Sequence, residues 1–135
     1  MASASAKKIR PKYLSLSAIL FQIRLPVPGW VSITHRISGA LLVIPFTAWA
    51  LYLLDTSLRD ERGFEAIRGY FELPLVKLGM LVFIWAYCHH FLAGIRYLLL
   101  DVDIGIDLPS ARITGWIVIV AGLLLTAVLG GALLW

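Results

Sequence analysis

WAYCHHFLAGIRYLLLD, residues 85–101, sets two adjacent histidines, a glycine and an arginine in an otherwise apolar run. It closes a longer stretch, residues 75–100, in which 78–95 carry no charge apart from the two imidazoles. An apolar segment of that length approaches the roughly 30 Å needed to cross the hydrocarbon core of a bilayer. An imidazole placed there needs a polar partner, since no water is at hand to serve it. Ionisable residues within a span are therefore functional candidates by default. Two readings stand at this point: histidines that hydrogen-bond a neighbouring helix, and histidines that hold a ligand.

The whole chain shares the character of this stretch. Of its 135 residues 60% are hydrophobic and 15% charged, and the mean hydropathy is +0.86. A soluble domain this small could not bury so much apolar side chain, so the composition indicates one membrane domain. The one cysteine, Cys88, can form no intrachain disulfide and offers no metal-binding spacing. The net charge of +4 is no sign of a nucleic-acid partner, because the basic residues gather near the ends of apolar runs.

Residues 1–8 are small, polar and basic, without the pattern of a secretory signal or a transit peptide. RPKYLSLSAILFQIRLPVPGW, residues 10–30, mixes apolar and basic residues, and its prolines at 26 and 28 disfavour a helix. Residues 1–30 are thus expected to form an N-terminal arm on the membrane surface, and residues 31–135 a three-span, all-α membrane domain. The first span covers about 31–54, with Pro45 bending it. A charged loop follows, in which Phe64, Ile67 and Phe71 suit a short helix lying in the interface. The second span covers about 75–100. After a loop with three aspartates and Pro109, the third covers about 113–135. Gly122, Thr126 and Gly130 stand four apart in it and line one face, which permits close helix packing.

A second polar constellation opens the first span: VSITHRISG, residues 31–39. Ser32, His35, Arg36 and Gly39 fall at i, i+3, i+4 and i+7, on one helical face at the membrane boundary. Together they can hydrogen-bond a polar headgroup; a snorkelling arginine with incidental neighbours is the alternative. In the second span, a histidine that ligates haem needs small residues one turn above and below it. His90 has Ala86 and Gly94 there, whereas His89 has Trp85 and Ala93. That contrast favours His90, although small residues also serve ordinary helix contacts. If Arg36 and Arg96 both mark the boundary, His90 lies about 9 Å deeper than Arg96. Haem propionates would then point toward His35, Arg36 and Arg96. The same arithmetic leaves His35 too shallow to be a second axial ligand.

RPKYLSL (10–16), SITHRISG (32–39) and HFLAGIRYLLLD (90–101) together resemble the cytochrome b large membrane-anchor subunit of succinate dehydrogenase, respiratory complex II. The likeness runs over roughly residues 10–135 in order, spacing and number of spans. It implies a haem-binding helical bundle completed by a second small membrane subunit, each subunit giving one histidine to a shared haem b. His90 matches the iron ligand, Ser32 and Arg36 the ubiquinone-site pair, and His35 a residue near the propionates. Tyr97 stands where many relatives carry a histidine, and His89 is additional.

The resemblance implies electrons passing from succinate, through a flavoprotein and an iron–sulfur subunit, to ubiquinone. This chain has no dinucleotide fingerprint and no cysteine cluster, so it does not hold the succinate-oxidising site. A haem-free anchor of such a complex is the alternative, as is an unrelated small helical membrane subunit. A transporter subunit, however, should show polar residues along a span or repeat symmetry. The short N-terminus favours a bacterial plasma membrane over a mitochondrial inner membrane.

Three spans put Lys7, Lys8, Arg10, Lys12, Arg24, Arg36, Arg96 and Arg112 on one side, against Arg59, Arg62, Arg68 and Lys77 on the other. The more basic side is the cytoplasmic one, so the N-terminus is expected there. A cysteine introduced near Phe64 should react with an impermeant reagent in intact cells, and one near Asp103 should not. The opposite labelling pattern would invert the orientation.

Overall fold

The computed structural model describes residues 24–135, which form helices and short connections with no strand among them. The larger part of the expected N-terminal arm lies outside the described residues. Helix α1 (Val27–Leu41) passes through a single π turn (Leu42–Phe46) into α2 (Thr47–Arg59), making one helical run of 33 residues. The short α3 (Glu61–Phe71) leads to the long α4 (Pro74–Asp101) and α5 (Leu108–Leu134). The α1–α2 run, α4 and α5 are each long and apolar enough to cross a membrane, which makes the chain a multi-pass membrane protein.

The first span opens at Val27, four residues earlier than the expected start at about residue 31. Pro26 is its N-cap, in extended conformation, and Pro28 lies in the first turn. Amides of a first turn have no intrahelical acceptor, so proline loses nothing there. The two prolines thus begin the helix that they were expected to delay. Farther along, Pro45 lies within the π turn, and the Thr47 hydroxyl donates to the Leu42 carbonyl at 3.0 Å. A side chain thereby serves a carbonyl in the stretch where proline removes a backbone donor.

At the far boundary, Asp60 caps α3 by accepting from the Gly63 amide at 2.6 Å. Trp49 of α2 packs against Phe71 and Tyr70 of α3 and Phe83 of α4, fastening α3 to the ends of two spans. Asp55 and Arg59 pair one turn apart on exposed α2. Between α4 and α5, Asp103 and Gly105 take φ of 61° and 76°. That left-handed backbone lets the chain reverse before Asp107 caps α5.

Small residues hold the spans together. The buried residues of α5 are Gly115, Val118, Gly122, Thr126 and Gly130, a single stripe at helical spacing. Gly115 lies against Val27 and Val31, Gly122 against the backbone of His89, and Gly130 against Leu81. The Cβ position of Gly122 lies 3.6 Å from the His89 Cα, so the stripe lets the two helix backbones approach closely. Large apolar side chains such as Leu78, Leu98, Ile117, Leu124 and Val128 point outward. In water such a surface would be untenable; in hydrocarbon it is the solvent-facing side.

Arg96 is buried, 6% exposed, on the face of α4 that meets α5. Its Nε donates to Thr114 Oγ1 at 3.1 Å and one terminal nitrogen to the Ala111 carbonyl at 3.3 Å. The guanidinium therefore clamps the end of α4 to the first turns of α5. Arg96→Met should destabilise the detergent-solubilised protein by about 1.5–3 kcal/mol, the usual worth of hydrogen bonds from a charged group. Thr114→Val should cost less, because the Ala111 carbonyl remains as acceptor. Thermal unfolding followed by circular dichroism measures both; an unchanged Arg96→Met transition would remove the clamp.

Candidate functional site

The polar residues of α1 and α4 meet along one seam. On α4, residues 86, 89, 93 and 96 share the face toward α5, and residues 90, 94 and 97 share the face toward α1. Adjacent histidines project about 100° apart on a helix, so both reach α1 but only His89 also lies against α5.

His90 meets α1 at Gly39, Ser38 and His35. Its Nδ1 lies 3.0 Å from the His35 carbonyl oxygen and 3.3 Å from Ser38 Oγ. A carbonyl can only accept, so Nδ1 carries the proton and donates. Nε2 is then the ring's lone-pair nitrogen, with no hydrogen-bond partner among the described residues. Ser38, fully buried, donates to the same carbonyl at 2.9 Å. Gly39 makes room for the ring: a Cβ there would stand 2.8 Å from His90 Cε1.

His89 is committed elsewhere. It is 3% exposed, its Nε2 lies 2.7 Å from Thr34 Oγ1, and its ring stacks on Trp85. Thr34 Oγ1 lies 2.8 Å from the Trp30 carbonyl and spends its one proton there. The hydroxyl therefore accepts from His89 Nε2–H, and that nitrogen has no free lone pair.

His35 lies level with His90. The two rings stack with centroids 4.1 Å apart and planes 7° from parallel. This corrects the expectation that His35 sits much shallower. The early start of α1 at Val27 places His35 eight residues, about 12 Å, inside the helix. His35 is still no second ligand to an iron held by His90, now on other grounds. Imidazole lone pairs lie in the ring plane, and two rings stacked face to face cannot aim them at one metal. The His35 ring also lies over Gly94, whose Cβ position is 4.0 Å from its Nε2. Gly94 therefore makes room for this ring as well as leaving the neighbourhood of His90 uncrowded.

Ser32 and Arg36 share the outer part of the seam with His35. Ser32 is half-buried, Arg36 exposed, and neither side chain forms a hydrogen bond among the described residues. Arg96 does not join them, since its guanidinium is bound to α5. Six helical positions carry a side chain through about 600°, so Arg96 stands roughly 120° off the face of His90. Its expected place beside haem propionates is not the place it takes here.

Sequence reasoning passed over Thr34, Ser38 and Tyr97 as site residues. The first two lie in the SITHRISG motif at i−1 and i+3 of His35, and only the facing helix shows that they meet imidazoles. The Tyr97 ring lies 5.1 Å from that of His35, and its hydroxyl is buried with no partner among the described residues.

Comparison with known proteins places this geometry in context. The model of the succinate dehydrogenase/fumarate reductase transmembrane-subunit family matches residues 7–129. The succinate dehydrogenase cytochrome b556 subunit of Rickettsia typhi is 34% identical over 105 residues, covering 76% of this chain and 79% of the relative. The subunit of the same name from Rickettsia prowazekii is 33% identical over 108 residues, 76% and 79% of the two chains. That of Coxiella burnetii is 30% identical over 130 residues, 93% and 97% of the two chains.

Proposed function

The chain belongs to the succinate dehydrogenase/fumarate reductase transmembrane-subunit family, and from that premise we propose that it anchors a succinate:quinone oxidoreductase in the membrane. In this reading it holds one haem b jointly with a second small membrane subunit and forms part of the ubiquinone-reduction site. The flavoprotein and iron–sulfur subunits oxidise succinate and deliver the electrons. The membrane is a bacterial plasma membrane, with the N-terminus in the cytoplasm.

The observation that carries the haem assignment is the 3.0 Å approach of His90 Nδ1 to the His35 carbonyl oxygen, which assigns the proton to that nitrogen. Metal-ligating histidines hold one ring nitrogen to a carbonyl or carboxylate, which leaves the other free for the metal and fixes the ring. His90 has this arrangement through the His35 carbonyl; His89 is held through the Thr34 hydroxyl instead, and its other nitrogen, Nδ1, faces the close contact with Gly122 of α5. A further feature fits a bound group: the buried Tyr97 hydroxyl lacks a partner that an oxygen-bearing ligand would supply. His35 and Arg36 offer donors near the same edge. When bound, the haem supplies a one-electron redox centre inside the span.

Ser32 and Arg36 serve the quinone. Reduction places negative charge on a quinone carbonyl oxygen, and a fixed cation or hydroxyl beside it stabilises that charge in a water-poor site. Arg36 is exposed at the outer part of the seam, and Ser32 stands one turn nearer the boundary. From there the serine can donate to the same oxygen, or to a water that brings its proton from the nearby aqueous phase.

His90→Ala should lose haem or leave it five-coordinate, while His89→Ala should keep a six-coordinate optical spectrum. Reduced-minus-oxidised spectra of the purified complex decide between them, and exchanged results would move the ligand to His89. Ser32→Ala and Arg36→Leu should each slow quinone reduction by about 2.7–4 kcal/mol in barrier, the range for deleting one such donor. Succinate oxidation by an artificial acceptor upstream of the quinone should survive. Normal quinone turnover in both variants, with the complex intact, would take these residues out of the site.

A further inference from the structure

His89 has no part in the chemistry just described, yet it is buried at the junction of all three spans. Its Nε2–H donates to Thr34 Oγ1 at 2.7 Å, its ring stacks on Trp85 at 5.5 Å and 19°, and Gly122 of α5 closes on its Cα. Thr34 is held in turn, because its own proton goes to the Trp30 carbonyl. The acceptor lone pair offered to His89 is therefore fixed in direction by α1 itself.

The neighbour of His89 explains the need. α4 touches α1 through two hydrogen bonds from consecutive residues: His89 to Thr34, and His90 to the carbonyl of His35. The two donors project about 100° apart around α4. Any rotation of α4 that shortens one bond lengthens the other, so the pair fixes the helix about its axis, which a single bond would not do. Turning α4 would turn the His90 ring against its bond to the His35 carbonyl and its stack on the His35 ring, so holding the helix also holds the direction in which that ring is presented.

We propose that His89 is a positioning residue, whose hydrogen bond to Thr34 sets the orientation of the His90 imidazole plane presented to the haem iron. This rests on the assignment of His90 as iron ligand. The tandem histidines divide the work: His90 supplies the lone pair, and His89 supplies the angle. The orientation of an axial imidazole influences the ligand field of a low-spin ferric haem, so the effect is measurable without turnover.

The test uses the assembled complex purified from membranes, with three variants. Thr34→Val keeps the shape and removes the hydroxyl; Thr34→Ser keeps the hydroxyl and removes a methyl; His89→Phe keeps the packing ring and removes the donor. The readouts are the largest g value in the low-spin ferric EPR spectrum and the rate of haem loss to an apo-acceptor. Thr34→Val and His89→Phe should shift the g value in the same direction and speed haem loss about threefold. That factor corresponds to the average worth of an interhelical hydrogen bond in a membrane. Thr34→Ser should match the parent. If His89→Phe does not assemble, the two Thr34 variants carry the comparison alone. An unchanged g value in Thr34→Val, or equal shifts in Thr34→Val and Thr34→Ser, would overturn the proposal. Should His89→Phe abolish six-coordinate haem while His90→Ala keeps it, the iron assignment itself would be at fault.

Discussion

A polar side chain inside hydrocarbon must find its partner within the protein, and that constraint organises the three spans. His89, His90 and Arg96 lie on α4, and none can satisfy its ring or guanidinium on α4 alone. His89 turns to a hydroxyl of α1, His90 to a backbone carbonyl of α1, and Arg96 to the first turns of α5. The central helix is thus joined to both neighbours by bonds whose loss would strand a polar atom away from water. Apolar packing between helices lacks this directionality, because lipid tails are as apolar as leucine.

These bonds need close approach, and the small residues provide it. Gly39 receives the His90 ring, Gly94 lies under the His35 ring, and Gly122 closes on the backbone of His89. Each side chain that could have stood there is missing at a place where an imidazole is present. Bulky residues occupy the opposite faces and meet the lipid. The protein is consequently polar and tightly fitted within, and greasy without.

The placement of the seam bears on what the chain can contribute to a larger assembly. Toward the N-terminal end of α1 the seam carries Ser32 and the Tyr97 hydroxyl, which has no partner among the described residues; level with His35 it carries the His90 ring. Relatives of this chain are named as cytochrome b556 subunits of succinate dehydrogenase.

Much of this was legible in the residues themselves. Hydropathy determined three spans, since a bilayer imposes a length on any apolar helix that crosses it, and periodicity the short helix between the first two. Spacing put Ser32, His35, Arg36 and Gly39 on one face, and the small neighbours of His90 set it apart from His89. What spacing along one helix cannot report is the axial slide and rotation of a second helix against it. The level of His35 depended on α1 starting at Val27, where two prolines cap a helix rather than prevent it. The direction of Arg96 depended on carbonyl and hydroxyl acceptors that α5 happens to present at Ala111 and Thr114. The division between His89 and His90 depended on which acceptor of α1 each ring met, a hydroxyl already donating or a carbonyl that can only accept. Those partners lie more than fifty residues away in sequence, and only the packing of α1 on α4 brings them within hydrogen-bond distance.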